Sequence, residues 1–314
     1  MLDTTIAVMR ALSRPDAGAR TVRALFSGLE SDAVRWESRT VGENGATTDL
    51  VRVTVGGARG RLAGGDAPTL GVIGRLGGVG ARPSRVGLVS DGDGAAAALS
   101  VALEAARMAE AGDRLAGDVI VSTHVCPRAP VVPHDPVPFM GSPVDMATKN
   151  EWDVRPEMEA ILSIDTTKGN RILNHRGIAI TPTVKEGWVL KVASRLVDAY
   201  EAVCGIRAHV LPITTQDILP YGTGIDHINS LMQPATATCA PVVGVAITAE
   251  TTVAGCQTGA SHPADVELAA RYALEVARAF GEGELPFYDA AEFDRIVGRY
   301  GPLTHLQGMG RARD

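Results

Sequence analysis

The stretch R-V-G-L-V-S-D-G-D-G-A-A-A-A-L-S-V-A-L-E-A-A-R-M, residues 85 to 108, sets the reading of the fold. An apolar run ends on Asp91 and Asp93 and passes at once into an alanine-rich segment of high helix propensity. Strand, polar tip and helix in succession are the unit of a layered α/β protein. Onward from there, G-D-V-I-V-S-T-H (117–124) and A-I-L-S-I-D-T-T-K-G (160–169) read as strands, 189–203 as a helix and 208–215 as a strand. P-V-V-G-V-A-I-T (241–248) is apolar almost throughout, as expected of a strand buried on both faces, and 265–280 reads as a closing helix. Backward, strand-like runs at 68–76, 49–55 and 33–41 are separated by glycine-rich turns, and two helices precede them. Asp3 can cap the first of these, and Val22, Leu25 and Leu29 mark one face of the second. The alternation predicts an α/β domain with a mostly parallel mixed central sheet. Residues 1–64 are expected to pack on the main sheet and 65–314 to form the main α/β domain, together one structural unit.

The bulk properties narrow the function. With 314 residues, 45% of them hydrophobic and 21% charged, the chain can build an ample core. A net charge of −6 leaves no basic surface, which argues against a nucleic-acid partner. No apolar run approaches the roughly 20 residues needed to cross a membrane. The start, M-L-D-T-T-I-A-V, lacks a basic leader ahead of an apolar block, so no secretion signal is expected. Cysteines at 126, 204, 239 and 256 have no C-x-x-C spacing, which fits a reducing compartment, and the expected location is the cytoplasm.

In open α/β sheets ligands bind at the carboxyl ends of strands, and four polar groups fall there. Asp91 follows one predicted strand, His124 and Cys126 a second and Asp165 a third, while His262 lies between the last strand and the last helix. Each has a plainer reading. Asp91 and Asp165 suit tight turns, Asp93 a helix cap, His262 a helix start, and Cys126 a small buried hydrophobe. The chemical reading takes Asp91, Asp165 and His262 as ligands of zinc or another divalent metal, with His124 as base or fourth ligand. Alternatively Cys126 is a nucleophile with His124 or His134 as its base. Thr166, Lys168, Asp226 and His227 are expected to contact substrate, the last two at a helix start in G-T-G-I-D-H-I-N-S (222–230). The segment 127–156 has prolines at 127, 130, 133 and 136 and apolar Phe139, Met140, Met146 and Trp152. It is expected to be ordered, as a lid over the strand ends or a contact with a second subunit.

The order of elements resembles the zinc-dependent aminopeptidase fold of the co-catalytic exopeptidases. D-G-D-G-A-A-A-A-L-S-V-A-L-E-A-A-R-M matches their metal-bridging segment with Asp91 at the bridging position, L-S-I-D-T matches a ligand at Asp165, and S-H-P matches one at His262. The resemblance implies a three-layer αβα sandwich, aminopeptidase-like. Where that superfamily carries H-x-D this chain has G-V-I-G-R-L-G-G (71–78), and Thr123 and His124 stand where it carries a Glu-Glu pair. The strings S-T-H-V-C-P-R-A-P, F-M-G-S-P-V-D-M, L-S-I-D-T-T-K-G-N, A-I-T-P-T-V-K-E-G and I-N-S-L-M-Q-P-A-T-A-T are similar to the bacterial domain-of-unknown-function family numbered eleven seventy-seven, over nearly the whole chain. The leading expectation is a metal-assisted hydrolase of an amide bond in a small peptide or cyclic amide, without a nucleotide cofactor and as a homo-oligomer. The alternatives are a Cys126-dependent amidohydrolase and a metal-free small-molecule binder on a degenerate peptidase fold.

Overall fold

The computed structural model describes residues 1–308 except 30, 44–45, 76–78, 80–86 and 228–229. Its elements in chain order begin with α1 (Leu2–Leu12), α2 (Ala19–Arg23), β1 (Val34–Glu43), β2 (Ala46–Val55) and β3 (Leu70–Gly74). The middle of the chain forms α3 (Asp93–Glu110), β4 (Val119–Val125), β5 (Val131–Val132), β6 (Phe139–Met140), α4 (Met146–Asp153) and β7 (Ala160–Lys168). Then come β8 (Gly177–Ile180), β9 (Val184–Lys185), β10 (Trp188–Val189), α5 (Ser194–Cys204), β11 (Val242–Ala249), α6 (Pro263–Gly281) and α7 (Ala290–Tyr300). The main sheet runs β1-β2-β4-β3-β7-β11-β9-β10, with β8 also paired to β11. Its centre, β4-β3-β7-β11, is parallel, and β1, β2, β8, β9 and β10 pair antiparallel at its flanks.

Alternation along each central strand divides the core in two. Val121, Leu162, Val243 and Val245 face one way, into a cluster with α1, α3, α5 and α6. Ile73, Ile120, Ile161 and Ala246 face the other, under Leu211, Ile218, Leu231 and Met232. That second face is covered by α4 and by 3-10 turns at Thr215–Ile218 and Gln233–Thr236 rather than by long helices. The result is the three-layer αβα sandwich with a mostly parallel mixed sheet.

The α3 helix is buried on nearly every side from Asp93 to Ala106, which only small side chains allow between the sheet and the outer helices. Its first turn lies hard against the strand ends. A Cβ at Gly94 would stand 2.6 Å from the Ile164 carbonyl oxygen and 2.7 Å from that of Arg75. Glycine there sets the acidic helix start directly over the carboxyl ends of β3 and β7.

Several sequence expectations need correction. The strand expected at 85–90 begins at residues 85 and 86, which lie outside the described residues; 87–89 are irregular, and Ser90–Gly92 form a 3-10 turn. Asp91 therefore sits in a turn on the helix side. The run 208–215 is extended but makes only one bridge, Val210 to Ile180. Asp3 lies inside the first turn of α1 and does not cap it. No helix starts at 222–227; residues 228 and 229 are outside the described residues. The segment 127–156, expected as a lid over the strand ends or a contact with a second subunit, forms the β5–β6 hairpin and then α4, and α4 packs on β2 and β4. A legible signal for α4 was Asp145, whose side chain accepts from Thr148 N at 2.7 Å as a helix cap.

Candidate active site

The parallel strands carry three polar residues at one level. Ile73 of β3 is paired with Ser122 of β4, and Gly74 with Ile164 of β7. Continuing that register sets Arg75 between His124 and Asp165, all on the α4 face. Arg75 N donates to the Ile164 carbonyl at 2.7 Å, so the ladder holds to this point. The row stands where the crossover from β3 to β4 and the return to β7 part in opposite directions, the usual place for a ligand in an open sheet.

Over the row lies α4, which contributes Lys149, Asn150 and Asp153, each buried. Arg75, 1% exposed, pairs with Asp153 at 3.0 Å and also meets Asn150 and the Met146 sulfur. Arg52 of β2 holds the far end of the helix. Its guanidinium lies 4.3 Å from the centre of the Trp152 ring, donates to the Trp152 carbonyl and pairs with Glu37 at 3.0 Å. Asp165 is fully buried, accepting from Ser230 Oγ and from Thr166 N, both at 2.7 Å.

Burial dominates the electrostatics. Loss of solvent pushes the Asp165 carboxyl up to about 6 against the pull of its hydrogen bonds and of Arg75 and Lys149. Asp153 rises likewise to about 6 despite Arg75. Lys149 is lowered to about 8, by burial first and then by the Arg75 charge. Among the described residues it forms no ion pair. His124 is held well below its ordinary range by burial and by Lys149 and Arg75, so it is neutral. Its Nδ1 has no hydrogen-bond partner among the described residues.

Asp91 completes the cluster from the helix side. Its carboxyl, 9% exposed, is pushed up to about 7 by burial and by the like charges of Asp165 and Asp93. No described side chain hydrogen-bonds to it. The backbone at Gly255 lies against it so closely that a Cβ there would be 1.9 Å from Asp91 Oδ1. Asp93 is engaged already, pairing with Lys168 Nζ at 3.0 Å and accepting from Ser261 Oγ.

The remaining expected site residues divide. Thr166 Oγ donates to the Ser90 carbonyl at 2.9 Å, and Lys168 is tied to Asp93, so both anchor the start of α3. Asp226 is exposed; His227 bonds the Leu219 carbonyl at 2.9 Å and lies edge-on to Tyr221, whose hydroxyl is raised by burial and by nearby Asp165. His134 is exposed and lies edge-on to Phe139. Sequence reasoning missed Arg75, Lys149 and Asp153, because lysine and aspartate on a short polar helix read as its solvated face.

The donor set does not fit the expected metal. His262 is exposed beside Asp93 and does not join Asp91 and Asp165. Among the described residues no three His, Cys, Asp or Glu side chains are grouped to hold an ion. Arg75 and Lys149 flank Asp165 instead, supplying fixed positive charge in the row itself.

Cys126 also departs from expectation. It is 2% exposed, packed with Val89, Ala129, Met140 and Cys256, and burial pushes its thiol up. Neutral His124 offers it no charge. Cys239 is exposed, so iodoacetamide should modify Cys239 first and leave Cys126 and Cys256 unmodified in the native protein. Peptide mapping that finds Cys126 labelled first would restore the thiol as a nucleophile.

A cavity of about 590 Å³, lined by Trp188, Tyr288, Phe293 and Tyr300 among others, shares no residue with the row. It lacks the convergent buried charges, and the strand-end cluster is the better candidate for chemistry.

Comparison with known proteins agrees with the architecture. The family model described as "Protein of unknown function (DUF1177)" matches residues 39–310. A search of curated proteins finds no match. Among solved structures, a tomato leucine aminopeptidase mutant is similar with a TM-score of 0.53 at 12% identity, over 87% of this chain and 60% of that one. A Legionella pneumophila LapA aminopeptidase gives 0.46 at 11% identity (91% and 69% covered), and an Acidobacteriales bacterium glutaminyl cyclase 0.48 at 11% (90% and 94%). The chain thus spans 60% of the length of the tomato enzyme, and at such identity the likeness concerns the fold, which is aminopeptidase-like.

Proposed function

The chain belongs to the family of proteins of unknown function DUF1177, and from the site its fold builds we propose that it hydrolyses an amide bond of a small peptide or cyclic amide. The observation that carries this reading is the Asp91 carboxyl, buried without a hydrogen-bond partner among the described residues and raised to about 7 beside Asp165, the acidic member of the row. A group with a pKa of about 7 is populated in both forms at neutral pH, as general acid–base work requires. Arg75, 1% exposed in the middle of the row, would stabilise negative charge on a carbonyl oxygen there.

The step balances with water as the only co-reactant. Ionised Asp91 takes a proton as the water oxygen bonds to the amide carbon, while the carbonyl oxygen becomes an oxyanion facing Arg75. The C–N bond then breaks, the oxygen lone pair re-forms the carbonyl, and Asp91 returns its proton to the departing nitrogen. The products are a carboxylic acid and an amine.

Amine release from a panel of dipeptides and cyclic amides tests this. The wild-type rate should rise with pH through an apparent pKa near 7, as Asp91 ionises. Asp91→Asn should lower the rate by about a hundredfold. No turnover across the panel, or an unchanged rate in the variant, would remove the hydrolase reading.

A further inference from the structure

The two ends of the site differ in charge. At the β4 end, the charged groups close enough to act on His124 are Lys149 and Arg75, both cations. Among the described residues three buried atoms there lack a hydrogen-bond partner, namely Ser122 Oγ, His124 Nδ1 and Arg75 Nε, and all three can donate. Ser122 and His124 lie two apart on one strand face, and Arg75 stands level with His124 on the next strand. Arg52 Nε and Trp152 Nε1, at the far end of α4, are two further unpartnered donors, and unpartnered Asp153 Oδ1 belongs to the counter-ion of Arg75. Arg75 and Lys168 each have a carboxylate partner, whereas Lys149 forms no ion pair among the described residues.

At the α3 end the sign reverses. Asp91 faces Asp165 and Asp93, and the one cation close to it, Lys168, is already bound to Asp93. This is also the end that meets solvent, since Asp91, Thr166 and Thr167 keep 9%, 7% and 8% of their surface exposed.

Buried polar atoms without partners are rare, and several together beside an unpaired cation describe a place made for an anion. A carboxyl at the opposite end with no side-chain partner among the described residues, facing two like charges, describes a place for a cation. We propose that the site binds a zwitterion, a short linear peptide with both termini free, its carboxylate at Ser122, His124 and Lys149, its scissile carbonyl at Arg75 in the middle of the row, and its ammonium at one oxygen of Asp91, whose other oxygen faces the attacking water. His124 and Asp165, the neighbour of Asp91 in the row, stand two strands apart, about 10 Å at the usual strand spacing. A dipeptide, at about 3.5 Å per residue with side chains reaching in from both ends, spans that gap better than one amino acid. This narrows the substrate of the amide hydrolase proposed above and rests on that reading for the location of the site.

Thermal shift and calorimetry on the full chain at pH 7 test it with four probes: alanylalanine, its N-acetyl form, its C-terminal amide and the doubly capped compound. Alanylalanine should bind, and each single cap should weaken binding by about tenfold or more. Lys149→Met should erase the penalty for the C-terminal amide and keep that for the N-acetyl group, and Asp91→Asn should do the reverse. Lys149→Gln replaces the methionine variant where that fails to fold. Equal binding of all four probes, or binding of none, overturns the zwitterion. Selective binding of alanylalanine with no amine released would leave the zwitterion standing and remove hydrolysis; cleavage of the doubly capped peptide would do the opposite.

Discussion

Arg75→Leu lowers the free energy of unfolding by about 3–5 kcal/mol in urea titrations at pH 8. The guanidinium is the counter-ion of Asp153 at 3.0 Å, with both groups 1% exposed. Without it Asp153 is left as an uncompensated buried charge, and Asp165 loses a stabilising neighbour. The sign with pH follows. Arg75 holds both carboxyls down, so its removal raises their pKa values further above about 6. At pH 5 both are then neutral in the folded state and the cost shrinks; at pH 8 folding must either ionise them in a dry site or take up protons from dilute solution. The double variant Arg75→Leu, Asp153→Leu removes both charges and should recover most of the loss, because apolar pairs of similar volume often replace buried ion pairs at no cost. A single variant as stable as wild type at pH 8 would show that the pair is solvated and that the row is not the dry site described.

Asp91→Asn works in the opposite direction, raising stability at pH 8 by roughly 3–4 kcal/mol. The folded carboxyl titrates near 7 rather than 3.8, so the folded state holds this proton more tightly than the unfolded chain does. Its contribution is therefore most favourable below about pH 4 and is lost progressively as pH rises to about 7, at about 1.4 kcal/mol per unit. Asparagine fills the same volume beside Gly255 without ionising, so the variant should lose much of the decline between pH 4 and 7. It will not lose all of it, since Asp153 and Asp165 are raised to about 6 and contribute the same sign. Lys149 adds a separate feature: lowered to about 8, it makes stability rise with pH between about 8 and 10.5. Parallel stability–pH curves for wild type and Asp91→Asn would mean that Asp91 is hydrated after all. A protein that becomes more stable on losing a carboxylate while losing turnover holds that group for chemistry.

Much of the fold was legible in the chain. The apolar run 241–248, the alanine-rich segment from Ala95 and the alternation of strand and helix led to a layered α/β protein with a mostly parallel sheet, because backbone periodicity and burial on both faces are written locally in residue type. Strand-end reasoning also found Asp91, His124 and Asp165, three members of the candidate site. It could not find their partners. Arg75 lies one residue beyond a strand and Lys149 on a short polar helix, and nothing local distinguishes either from a solvated surface charge.

What the sequence by itself determined, then, was the central strands and long helices, their order and the acidic turn ahead of the alanine-rich helix. Only the tertiary structure decided that α4 folds back over the sheet, that Arg75 falls between His124 and Asp165, and that His262 stays outside with the solvent. The reason is desolvation. The charge state of Asp91, Lys149 or Cys126 is set by how much water and which charges its surroundings leave beside it, and those surroundings come from segments dozens of residues away.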